Sequence, residues 1–102
     1  MANALGKGLE IFFPQKHEEK LFQKALTCDE NGEYLDAFHL YMCVAKMMGK
    51  LRSKALNNAA VILAEHGFLK RAKELLQVAF SEDPENLDVR ENLRLLQEGD
   101  DE

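Results

Sequence analysis

The chain is predicted to be all-α, a stack of antiparallel helix pairs, and three observations predict it. Asn31-Gly32-Glu33-Tyr34-Leu35-Asp36-Ala37 and His66-Gly67-Phe68-Leu69-Lys70-Arg71-Ala72 superimpose at an offset of 35 residues, which also matches Leu21 with Leu56, Ala25 with Ala60, Leu40 with Leu75, Tyr41 with Leu76 and Val44 with Ala79. A fixed period in this range marks a stacked helical repeat whose single unit cannot bury its own apolar face. Apolar residues recur at spacings of three and four from residue 18 onward, the spacing of one helix face. With two prolines and six glycines in 102 residues, long windows are left free to form helix.

Each element follows from local chemistry. Residues 1–17 form an extension in which Gly6, Gly8 and Pro14 oppose helix, while Leu9, Ile11, Phe12 and Phe13 make a dense apolar run. Contiguous apolar surface on a monomer usually marks an interface, so these four are candidate self-association residues. The run is expected either to fold back onto the helices or to pair two chains as a homodimer. A first helix is expected from about Gln15–His17 to Glu30, with Leu21, Ala25 and Cys28 on one face, and Asn31-Gly32 stops it in a left-handed turn.

The second helix, about Tyr34 to Met48, carries Ala37, Leu40, Tyr41 and Val44 on one stripe, which Phe38, Met42, Ala45 and Met48 widen; Gly49 ends it. Ser53 is the expected N-cap of a third helix, about Lys54 to Glu65, whose Leu56, Ala59, Ala60 and Leu63 face the core. His66-Gly67 repeats the earlier stop. A fourth helix, about Leu69 to Ser81, buries Ala72, Leu75, Leu76 and Ala79 and ends before Pro84. The last, about Glu85 to Gln97, offers Val89, Leu93 and Leu96, so the helical domain covers 18–97 and an acidic, disordered tail is expected over 98–102. Alanines at 25, 37, 60, 72 and 79 sit where helices must approach closely. Tyr34 and Leu69, after each turn, are placed to fill the space between neighbouring pairs.

Composition narrows the function. The net charge is −5, and nine acids against two arginines from Ser81 onward leave the first 80 residues slightly basic. Lys46, Lys50, Arg52 and Lys54 cluster at one connection, and Lys70, Arg71 and Lys73 at a helix start, a pattern read as solvation and helix-end electrostatics rather than a nucleic-acid patch. No run approaches the roughly 20 apolar residues of a membrane span and the start lacks a signal-peptide pattern, so a cytoplasmic protein is expected. Cys28 and Cys43 are too few for a disulfide framework. His39 and Cys43 have metal-ligand spacing, but a closed structural zinc site needs four donors, so neither metal nor cofactor is expected. His17, His39 and His66 stand without a nucleophile or acid at suggestive spacing, and there is no Gly-rich phosphate loop; no catalytic residue is assigned and a non-enzyme is expected.

The residues resemble the tetratricopeptide repeat. Ser53 to Asn86 follows its 34-residue pattern through Leu56, Ala60, Leu63, Gly67, Ala72, Leu76, Ala79 and Pro84. The unit from Glu18 to about Arg52 keeps Leu21, Ala25, Gly32, Tyr34, Ala37 and Tyr41, but has Val44 for the second alanine, one extra residue and no closing proline. The resemblance implies a right-handed superhelical stack of two repeats with a capping helix, and a concave groove lined by the first helix of each pair that takes a peptide or helix of a partner. Its groove positions are Glu19, Phe22, Gln23, Leu26, Asp29 and Glu30, then Lys54, Asn57, Asn58, Val61 and Glu65, then Asp88, Glu91, Asn92 and Leu95. Phe22, Leu26, Val61 and Leu95 are apolar and outside the packing stripe, and Asn57 and Asn58 can bond a peptide backbone. The family's carboxylate clamp for heat-shock chaperone tails matches only at Asn58; Phe22, Leu26, Asp88 and Asn92 replace its other groups.

Adaptor, chaperone and assembly factor all fit such a groove. The alternative is pentatricopeptide-like binding of single-stranded RNA, a family that shares the 35-residue period. Groove acids Glu19, Asp29, Glu30, Glu65 and Glu91 oppose phosphate, and two units would read only about two bases.

Overall fold

The structure, a computed structural model, describes residues 14–100. Leu9, Ile11, Phe12 and Phe13, and the last two residues of the acidic tail, lie outside the described residues. Within them are five helices and no strand: α1 (Pro14–Glu30), α2 (Tyr34–Lys46), α3 (Arg52–Glu65), α4 (Leu69–Glu82) and α5 (Leu87–Asp100). Each helix packs on the next in sequence, and α3 also touches α5. No helix among the described residues is long and apolar enough to cross a membrane.

The turns inside the two pairs are the same structure repeated. Gly32 and Gly67 take φ of 78° and 89°, a left-handed backbone that glycine adopts without steric penalty. The amides of Glu33 and Gly32 bond the carbonyls of Cys28 and Asp29 at 2.8 and 3.1 Å, and those of Phe68 and Gly67 bond Leu63 and Ala64 at the same two distances. Two of the otherwise orphaned carbonyls at the end of each first helix are satisfied in this way.

The core runs through all five helices. Ala25, Ala37, Ala60, Ala72 and Ala79 are fully buried, as are Tyr41, Val44 and Val89, with Leu56, Leu75, Leu76 and Leu93 beside them. Helix α3 buries more of its circumference than its stripe predicts, adding Ala55, Ile62, Ser53 and Asn57, because α2, α4 and α5 all pack on it. Tyr34 reaches across to the ring of His66, 5.2 Å away and edge-on, yet stays 40% exposed, and Leu69 is 48% exposed, so neither fills the space between pairs as expected. Tyr34 has a following helix pair to meet. Leu69 has none among the described residues.

The connection between pairs departs from expectation. Helix α2 stops at Lys46, and the left-handed residue is Met48 (φ 57°), not Gly49, so Met48 leaves the apolar stripe and stands exposed. Gly49 lies against the Glu18 carboxylate, which a Cβ there would have to displace. Ser53 is not the N-cap of α3. Leu51 holds that position with no side-chain cap of its own, and the buried Ser53 hydroxyl has no partner among the described residues. Capping comes from another helix: Glu18, itself buried, accepts a bond from the Leu51 amide at 3.3 Å. Arg52 completes the joint, donating to the Ala45 carbonyl at 2.6 Å and pairing with Glu82 at 2.8 Å.

After α4 the chain returns to local rules. The Asn86 side chain accepts from the amides of Asp88 and Val89 at 3.1 and 3.3 Å and caps α5, which starts two residues later than predicted. At its far end α5 continues through Glu98 and Gly99 to Asp100, into the segment read as tail; Arg94 holds Glu98 one turn on.

Candidate functional site

Two polar clusters organise the predicted groove residues. In the first, Tyr41 of α2 is fully buried and donates from its hydroxyl to Asp29 of α1 at 2.8 Å, while the Phe22 ring lies 5.8 Å away, tilted by 58°. Burial, and then the bond and charge of Asp29, push the Tyr41 phenol well above its ordinary value, against an opposing pull from Asn58 of α3. The phenol therefore stays protonated and ties α2 to α1.

In the second cluster the Asn92 amide of α5 donates to Asn57 Oδ1 of α3 at 3.0 Å. The bond joins two of the expected groove positions across the contact between α3 and α5. Among the described residues, the remaining amide donor of Asn57 and the acceptor of Asn92 make no internal bond. Although Asn57 is only 8% exposed, this leaves its amide N–H groups beside the carbonyl of the half-buried Asn92, donor and acceptor types that match a peptide backbone.

The apolar positions divide. Phe22 and Leu26 are half-buried and packed against the core, so they do serve the packing, contrary to the reading that set them outside the stripe. Val61 is half-buried outside that cluster, and Leu95 is 51% exposed. Lys54 and Glu65 are exposed on α3. Gln23 lines a shallow depression with Lys20, Leu21, Lys24 and Thr27, to which neither α3 nor α5 contributes among the described residues. Glu91 is drawn into a pair with Arg94, whose bond holds its carboxyl below the usual range.

Cys43 and His39 lie 3.6 Å apart, Sγ to Nε2, but no group of three or more His, Cys, Asp or Glu side chains converges among the described residues. Both cysteines are free, and burial, helped by Glu33 and Asp36, raises the Cys28 thiol.

Sequence reasoning missed the joint made by Glu18 and Arg52, and it missed an apolar patch around Leu35 and Phe68. Phe68 could have been found. It stands where the first unit has Glu33, at the position after a left-handed glycine that commonly packs back on the helix it ends. No family model matches this chain, and neither a curated protein nor a solved structure matches it.

Proposed function

We propose that the chain is a tetratricopeptide-like, non-enzymatic interaction module, a right-handed stack of two repeats and a capping helix that takes a peptide or helix of a partner protein along α1, α3 and α5. One observation carries the reading: the Asn57–Asn92 pair keeps an unused donor and acceptor together, beside the incompletely buried apolar residues Val61 and Leu95. Apolar contacts supply affinity and the amides fix register. The repeated turn geometry and the run of small residues through the core support the repeat architecture. The acids along these helices favour a partner without phosphate, which sets RNA second.

The test compares the proteins captured from native cells by the wild type and by a Val61→Glu, Leu95→Glu variant of wild-type helicity. A partner held by the first and lost by the second supports the groove. Identical capture by both removes it, and steeply salt-dependent binding of homopolymer RNA replaces it with the nucleic-acid reading.

A further inference from the structure

A second surface lies apart from the amide pair. Where α2 begins and α3 ends, Tyr34, Leu35 and Phe38 meet Ile62, Leu63 and Phe68 around an open cavity of about 350 Å³. Its lining is almost entirely carbon. Leu35 is 86% exposed and Phe68 61% exposed, a concentration of bare apolar surface that monomers rarely leave in water.

We infer that this crevice receives the Leu9–Phe13 run of a second copy of the chain, giving an antiparallel homodimer. The length of the tether decides between copies. The run joins the helices at Pro14, and α1 extends about 24 Å from there to Glu30 at a rise of about 1.5 Å per residue. The crevice lies at the Glu30 end, because α2 starts just past the turn at 31–33 and α3 comes back to that end at Glu65. Even fully extended, at about 3.5 Å per residue, Phe13 and Phe12 stay within about 7 Å of Pro14 and Ile11 within about 10 Å. The aromatic side chains therefore cannot fill the crevice of their own chain. In a second copy running the opposite way, Pro14 stands beside the first copy's turn, and the twofold that places one run also places the other. Both crevices are then filled by identical contacts, and the exposed apolar surface around Leu35 and Phe68 leaves water in each copy.

Sedimentation velocity of the full chain, up to about 100 µM so that a micromolar Kd is visible, reads the state directly. The wild type is expected as a dimer. Phe68→Glu and Phe12→Glu should each weaken it by at least roughly tenfold at unchanged helical circular dichroism, with Leu35→Ser as the milder substitute if a glutamate unfolds the chain. Mixing the two glutamate variants should restore part of the dimer, because one supplies an intact crevice and the other an intact run. A monomeric wild type, a dimer indifferent to Phe68→Glu, or no recovery on mixing each overturns the proposal. A monomer whose melting temperature falls with Phe12→Glu overturns it in favour of docking elsewhere on the same chain.

Discussion

Gly32 and Gly67 close their helices with the same pair of hydrogen bonds 35 residues apart, whereas the connections at 47–51 and 83–86 link successive helices with unrelated parts. At 83–86 everything is local: Asn86 caps the helix that follows it, and Pro84 blocks the one before from continuing. At 47–51 the chain supplies neither. The cap is Glu18, 33 residues upstream of the amide it satisfies, and the clamp is Arg52, reaching 30 residues forward to Glu82. One joint is stabilised by its own sequence and the other by helices it has already brought together.

The largest test of this difference is Glu18→Ala. It orphans the Leu51 amide and empties the space against Gly49, and should cost about 2–3 kcal/mol by urea unfolding. Asn86→Ala, the local cap, should cost about 1 kcal/mol. Equal losses would show that the distant cap is no more than a substitute for a local one.

Tyr41→Leu comes next, since it gives the first unit the residue, Leu76, that the second has at the equivalent position. Losing the hydroxyl bond to Asp29 should cost about 1–2 kcal/mol. It should also change the alkaline limb. The folded phenol is raised above its ordinary 10.0, so above that pH the unfolded chain releases a proton that the folded one keeps, and wild-type stability must fall as pH rises through this range. The leucine variant should fall less steeply. Unfolding curves that stay parallel from neutral pH to beyond pH 10 would disprove the bond's role.

The smallest effect should be a gain. Met48 holds a left-handed backbone that glycine would adopt freely, so Met48→Gly should raise stability by no more than about 1 kcal/mol, less the added freedom of the unfolded chain. A loss would mean that the exposed methionine has packing the structure does not give it.

The same contrast governs what could be read from the sequence. Asn31-Gly32 and His66-Gly67 were legible because a left-handed glycine encodes its own turn, and the alanine positions because a small residue at a repeat period has one packing consequence. Ser53 misled because a serine before a helical window is a cap only if nothing else reaches the helix start first, and Glu18 does. Ala55 and Ile62 were missed because burial on three sides of α3 depends on how pairs stack, which one helix period does not contain. At the site, the groove positions of Asn57 and Asn92 could be listed from the sequence, but their contact could not. Phe22 and Leu26 look like free apolar residues until Tyr41 is seen beside one and the core beside both.

Arg52 carries a consequence for how the molecule opens. Its guanidinium holds the last turn of α2, in the first unit, and the last residue of α4, in the second, so neither unit can fray at that end without releasing the other. In native-state hydrogen exchange the slow amides of both units should therefore share a single opening free energy, making the two repeats one foldon rather than two.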